Sequence, residues 1–462
     1  MWRWRSVLLR DWRGRASRSA SNVTGGGAVT MPYVPGFRRA SKGAAVALAG
    51  LGCAVFAMPV AAQAQDCPIR IGSPLPLTGF YADDGMHMQN AITMAVEDLN
   101  AQGGVQGCDV EMVPFDIQNM TPEDLTAAAN QLVVKEEVAA VIAGYAGMGP
   151  DVAAFGRYDT IYIHNDATEN VAQMVMDNYD DLSNVFMMSW WSEHPWGVED
   201  FVAVTSYPQE FRNKKLAVLA SEFEWDQKIS RGFIDAAESA GWEVVMDETF
   251  VWDQTEWGTL LAKLRSRDPS LVFFSAQNAD SGVTFVRDFA RNPVDALVDL
   301  SVSLWWSGVV ESMGTDGDGV VGWITQQEVI SERNPTGDAL RKRYVERFGI
   351  EPQASWVFAY DAVGIWAAAA NRAGTLDSKA VGAEILAAPY DGIGGHFVFD
   401  PDHGNAVRPS PEQPNYHGQI QDGRFCPILI TAEQNPEEGT AKVGPFPGGA
   451  ACTFQTPSWM QQ

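Results

Sequence analysis

The chain has 462 residues, 46% of them hydrophobic, with 58 acids against 32 bases and a formal net charge of −26. That length exceeds what a single hydrophobic core serves and points to two domains. So acidic a surface repels phosphate backbones and anionic lipid heads, which excludes nucleic-acid and membrane-surface roles.

The first segment reads as a leader. Residues 1–30 are basic, rich in Gly and Ser, and carry no periodic pattern. Either they extend the leader or translation starts at Met31, the preferred reading. Arg38, Arg39 and Lys42 precede an apolar run over 43–60, and Ala62, Gln63 and Ala64 follow it. These are the charged, apolar and small-x-small parts of a secretory signal peptide. The run is short, rich in Ala and Gly and broken by Pro59, so cleavage after Ala64 and a periplasmic location are expected rather than an anchor. A lipid on Cys53 is the rival, disfavoured because Gly50 stands where a Leu is usual. Nine bases and one acid leave with residues 1–64; the remainder carries 23 bases, 57 acids and a charge of −34.

Helices and strands then alternate. A strand at 69–71 runs into a Pro/Gly turn. A helix over 88–101 has Ile92, Ala95, Val96 and Leu99 on one face, and Gly103 and Gly104 end it as a left-handed cap does. Strand 109–115, helix 122–136, strand 139–143, helix 149–158 and strand 160–164 follow. A second series opens after 185–188, with helices at 195–205, 227–240, 256–267 and 281–290. Its strands are expected at 215–220, 243–250, 271–275 and 297–301. A third comprises strand 320–325 and helices 335–348, 355–373 and 378–387. Short strands are expected at 393–399 and 419–430, and residues 432–462 read as a Pro/Gly-rich tail held by a disulfide. Such alternation predicts doubly wound α/β sheets, parallel and covered by helices on both faces.

Four cysteines remain after the leader: Cys67, Cys108, Cys426 and Cys452. An even count in an oxidising compartment indicates two disulfides, with three possible connectivities. Cys67 and Cys108 each precede an apolar strand. If those strands are parallel neighbours, their starts lie within disulfide reach; Cys426 and Cys452 then close the tail.

The run GSPLPLTG at 72–79, with AITMAVEDLN at 91–100 and GGVQG at 103–107, resembles the leucine/isoleucine/valine-binding proteins. KLAVL at 215–219 and FVFD at 397–400 fall where that family has similar segments. The likeness covers about residues 66–430. It implies a periplasmic type I solute-binding protein of an ABC importer: two doubly wound lobes joined by three crossover segments. The first lobe would hold 66–189 and 324–388, the second 190–323 and 389–430, with 431–462 as tail. It implies a monomer that captures a small polar solute, an amino acid, amide or relative, and delivers it to a permease and ATPase complex. No cofactor or metal is implied.

Ligands of open α/β sheets bind outside the carboxyl ends of strands, which selects particular loops. In the first, Gly79 allows the turn, and Thr78 or Tyr81 could offer a hydroxyl. In the second, Gly144 suits close backbone approach, while Tyr145, Ala146 and Gly147 replace the hydroxyl residues that grip a carboxylate in the family. That puts an ordinary α-amino acid in doubt. The third loop keeps the Ala167–Thr168 pair that holds the ligand in relatives, and Asp166 could pair with a cationic or amide group or cap the next helix. Glu224, Trp225, Gln277, Asn278, Trp305 and Trp306 end strands of the second series, and Trp190 sits at the hinge. Any single Trp is more often core, but five at predicted cleft edges or the hinge, with Trp191 beside Trp190, suit a planar or cationic solute.

Enzyme motifs are scarce. The Gly-x-Gly-x-x-Gly match at 317–322 runs into a strand pattern where a dinucleotide site needs a helix. His194 beside Glu193 reads as surface. The rivals are an exported sensor with the same ligand-binding role and, further off, an exported hydrolase.

Overall fold

The computed structural model describes residues 67–166, 168–189, 193–305, 308–324, 334–353, 355–408, 415–435, 440–446 and 452–460. The expected leader, Ala167, Trp190, Trp191 and Trp306 lie outside the described residues, as does the side chain of Trp305.

The first sheet starts where the sequence becomes apolar. Strands β1 (Ile69–Leu75), β2 (Val110–Asp116), β3 (Ala140–Ile142), β4 (Ile161–His164) and β5 (Val185–Met187) pair in parallel in the order β5-β4-β3-β1-β2. Ile69 faces Val110 across the β1–β2 register. The residues two places before each are therefore neighbours, and Cys67 and Cys108 form a disulfide with Cα atoms 5.3 Å apart. Helices cover both faces: Ala82–Ala101, Pro335–Phe348, Trp356–Ala373 and Ser378–Ala387 on one, Pro122–Ala129 and Pro150–Phe155 on the other.

The second sheet repeats the pattern. Strands β6 (Lys215–Ser221), β7 (Glu243–Phe250), β8 (Leu271–Ser275), β9 (Leu297–Asp299) and β10 (Val321–Ile324) are parallel in the order β10-β9-β8-β6-β7. All of β8 is buried, as a strand covered on both faces should be. After a small hairpin of β11 (Tyr390–Asp391) and β12 (His396–Phe397), the chain departs from expectation. Strands β13 (Phe399–Asp400) and β14 (Ala406–Val407) extend the first sheet, with Ala406 beside Met187 of β5. The return to the second sheet thus falls after Val407 rather than at 389, the expected point at which the second lobe resumes. Phe399 and Val407 explain it, because both are buried in the first core.

The carboxyl end is more ordered than its composition suggests. Strands β15 (Tyr416–Gln421), β16 (Arg424–Asn435) and β17 (Thr440–Pro445) extend the second sheet antiparallel from β10. Cys426 and Cys452 are bonded. Trp459 is buried in the second core and donates its indole N–H to the Ala296 carbonyl at 2.9 Å. Tail residues therefore supply core, which corrects the reading of a segment held by its disulfide alone.

Helix Ala82–Ala101 starts six residues before the apolar period does. Asp83 and Asp84 favour a helical first turn through the backbone dipole. The Gly-x-Gly-x-x-Gly match leads into β10, as the pattern indicated. Among the described residues no helix is long and apolar enough to cross a membrane.

Candidate functional site

The carboxyl ends of both parallel sheets open onto one cavity of about 100 Å³. From the first lobe Tyr81, Tyr145, Asn165, Asp166 and Thr168 line it, with Met120, Gly147, Met148 and Ser355. From the second come Trp196, Phe223, Trp225 and Gln277. The lobes also touch directly. Asn170 Nδ2 donates to Glu224 Oε1 at 2.7 Å, and Glu169 N–H donates to Glu193 Oε2 at 2.9 Å. At the rim the Phe80 and Trp252 rings stand 6.0 Å apart, edge to face.

Six expected site residues reach the cavity: Tyr81, Tyr145, Asp166, Thr168, Trp225 and Gln277. The edge of Tyr81 meets Tyr145 at 6.0 Å, and the Tyr145 hydroxyl donates to Asp84. Burial pushes the Asp84 carboxyl up to about 6, opposed by that hydrogen bond. Trp225 is buried and packs on Trp196 at 5.7 Å.

Asp166 neither caps the following helix nor stands free. Its Oδ1 accepts the Ala146 N–H at 3.0 Å, so it ties the third loop to the second. Thr168 is the cap: its hydroxyl accepts the Val171 N–H at 3.4 Å. Behind Asp166 lie His164 and Asp151, all three buried. His164 Nδ1 is 3.3 Å from Asp166 Oδ2, and Asp151 accepts from the Tyr162 hydroxyl (2.6 Å) and the Gly149 N–H (2.8 Å). Burial and the neighbouring Asp166 charge push Asp151 up to about 7. Burial also acts on Asp166, but the hydrogen bond and charge of His164 outweigh it and hold the carboxyl below its ordinary value. These three side chains could reach a common ion. Asp151 and Asp166 Oδ1 accept hydrogen bonds within the chain, whereas Asp166 Oδ2 and His164 Nε2 have no hydrogen-bond partner among the described residues; the three groups form a buried charged cluster under the 144–149 loop.

The other expected residues whose side chains are described do not line this cavity. The Thr78 hydroxyl donates to Asp116 Oδ2 at 2.6 Å. Gly79 has φ +90°, and a Cβ there would stand 2.4 Å from Asn119 Oδ1. At Gly144 packing already requires glycine, since a Cβ would meet Met88 Sδ at 1.8 Å. Glu224 bridges the lobes, and Asn278 caps helix Ala279–Arg291. Trp305 ends a short 3₁₀ helix, Ser301–Trp305. His194 pairs with Asp235 at 3.0 Å.

Sequence reasoning missed Met120, Trp196 and Ser355 on the wall, and Asp84 and Asp226 behind it. Ser355 holds a left-handed conformation (φ 55°) and accepts from Asn165 Nδ2 at 3.3 Å; no local signal marks it. Asp226 stands one residue before the helix expected at 227–240 and in the first turn of the observed one. It accepts from the Ser221 hydroxyl, from Ser275 Oγ at 2.7 Å and from the Gln277 N–H at 3.1 Å. Burial pushes it up to about 6 against those donors.

Two doubly wound lobes that share one cavity at their strand ends define a cleft-type solute-binding protein. The model of the periplasmic binding protein family matches residues 68–423, and the chain belongs to that family. It is 24% identical over 340 residues to an amino acid binding protein of Pseudomonas aeruginosa, covering 72% of this chain and 86% of that one. Its fold is similar to that of the branched-chain amino acid transporter substrate-binding protein LivJ from Streptococcus pneumoniae, solved with isoleucine. The TM-score is 0.63 at 20% identity, with 77% of this chain and 97% of that chain covered. A solute-binding protein of an ABC transporter from R. palustris, solved with benzoate, gives 0.62 at 20% identity, covering 78% and 95%. Each of these relatives carries the name of a binding protein.

Proposed function

We propose that this protein is the extracytoplasmic solute-binding component of an ABC-type importer. It captures one small polar organic solute, of the amino-acid or amide class or a relative of it, and passes it to a permease and ATPase complex. The leader is cleaved after Ala64, and the protein works as a monomer in the periplasm. Tyr81, Tyr145, Asp166, Thr168, Trp225 and Gln277 make the ligand contacts.

The observation that carries this reading is the shared wall: residues of both sheets line one cavity. A solute touching both lobes stabilises only the state in which they meet, so binding shifts the population toward closure. The test is mass spectrometry of whatever co-purifies with the protein, followed by small-angle scattering with and without that solute. A single co-purified solute and a smaller radius of gyration at saturation are expected. An unchanged profile, or chemical turnover of the solute, overturns the reading.

A further inference from the structure

Helix N-termini are the natural seats for a ligand carboxylate, because their free N–H groups and dipole attract anions. Around this cleft most of those seats are already taken by the chain itself. Helix Ala82–Ala101 carries Asp83 and Asp84 in its first turn, and helix Glu224–Ser239 carries Glu224 and Asp226. At helix Glu169–Asp177 the Glu169 N–H donates to the buried Glu193 carboxylate at 2.9 Å. Asn278 caps helix Ala279–Arg291 by accepting the Asp280 and Ser281 N–H groups. Helix Trp356–Ala373, which starts beside Ser355, has no acid in its first turn.

The wall presents, among the described residues, five aromatic rings: Tyr81, Tyr145, Trp196, Phe223 and Trp225. Among the described residues, no Lys, Arg or His lines it. Carboxylates lie one layer back on both sides, so that the Tyr81 phenol feels both Asp84 and Asp226, and the Tyr145 phenol both Asp84 and Asp166. Ring faces backed by negative charge attract cations. A water needs roughly 10–15 Å³ of such space. A cavity of about 100 Å³ therefore takes on the order of seven to ten non-hydrogen atoms.

We propose that the cleft selects a compact organic cation, an alkylated ammonium group held among the five rings, over an amino-acid zwitterion or an aromatic acid. This rests on the reading that the cleft captures one small solute, and it replaces the amino-acid class of that solute with a cationic one. The methyl groups pack on Tyr81, Tyr145 and Trp225, while Asp84 and Asp226 supply the field; the Asp166 charge is offset by His164 at 3.3 Å. The Glu193 carboxylate on the Glu169 helix disfavours an anionic group entering there.

Calorimetry on the purified protein with four probes tests this: choline, its neutral carbon isostere 3,3-dimethylbutan-1-ol, isoleucine and benzoate. Choline is expected to bind at least tenfold more tightly than the isostere and than either carboxylate. Asp84→Asn should weaken choline at least threefold and leave the isostere unchanged, a charge-specific result that loss of packing would not give. Equal binding of choline and isostere, tighter binding of isoleucine or benzoate, or no heat with choline overturns the proposal. Scattering separates the two failures. Compaction with isoleucine or benzoate would leave the solute-binding reading standing while the cationic assignment falls.

Discussion

Asn170 and Glu224 meet across the two lobes, with Asn170 Nδ2 donating to Glu224 Oε1 at 2.7 Å. Lys228 Nζ completes the bridge by donating to Asn170 Oδ1 at 2.9 Å and standing 3.3 Å from Glu224. Polar contacts at a rim contribute little one by one, because water competes for both partners. The Glu224 side chain is 66% exposed, and such pairs contribute about 0–1 kcal/mol. Asn170→Ala should therefore weaken solute affinity by no more than about fivefold. Glu193→Ala should cost more, since Glu193 is 2% exposed and its loss leaves the Glu169 N–H without its acceptor. Single-molecule distance measurements between labelled lobes would check the ordering. A larger opening in Asn170→Ala than in Glu193→Ala would contradict it.

Asp166→Ala is expected to destabilise the first lobe rather than only lower affinity. The change removes the acceptor of the Ala146 N–H and takes from His164 the nearer of its two acidic neighbours, leaving Asp151 at 4.0 Å. Burial lowers the His164 pKa, but the Asp166 and Asp151 carboxylates outweigh it and raise the value overall. Breaking a buried pair by removing one member typically costs about 3–5 kcal/mol. Asp166→Asn keeps one acceptor for Ala146 and should cost less. Urea unfolding of both variants is the measurement. Wild-type stability in Asp166→Ala would show that the carboxylate serves the ligand alone.

Gly144 separates a packing role from a binding role. A Cβ at this position would enter the space of the Met88 side chain, whose Sδ lies 1.8 Å away. Met is flexible, so Gly144→Ala should destabilise by about 1–3 kcal/mol as the core shifts. Combining it with Met88→Ala should recover part of that loss, because neighbours that share one space are not additive. Thermal unfolding of the two single variants and the double variant tests this. Strict additivity would return Gly144 to the ligand side.

The contrast between legible and illegible parts has a physical cause. Strands β3, β4, β6 and β8 are near-continuous apolar runs because helices cover both faces of each sheet, and such runs show in sequence. Strands β13 and β14 are two residues each, too short for any period to show, so their return to the first sheet could not be read. The site divides the same way. Its loops were legible because they follow buried strands. The tasks of Thr78, Gly79, Gly144 and Glu224 were not, because each meets a residue distant in sequence: Asp116, Asn119, Met88 and Asn170. Sequence names the residue types at a strand end, whereas packing decides which of them face the cavity.

Stability should fall as pH rises from about 4 to about 7. Burial pushes the carboxyls of Asp299, Asp361 and Asp151 up to about 7, and those of Asp84 and Asp226 to about 6. The ordinary value is 3.8. Between the two values the folded chain holds protons that the unfolded chain has released, so each step up in pH favours unfolding. His164 adds the same sign, since its raised value means that the folded state keeps a proton longer. His87 opposes, because burial lowers it and the folded state gives up its proton first. For Asp98, Asp116 and Asp400 burial is outweighed by hydrogen bonds that hold them below 3.8, so they titrate below this window. The net charge of −26 adds self-repulsion that grows in the same direction. Tm is thus expected to be higher at pH 5.5 than at pH 8, with most of the change below about pH 7. Asp299→Asn should flatten part of that slope: it retains an acceptor for the Ser301 N–H, 2.8 Å away in the native chain, but cannot release a proton. Scanning calorimetry across this range decides the matter. A Tm that climbs from pH 5.5 to pH 8, or an Asp299→Asn profile as steep as wild type, would refute the linkage.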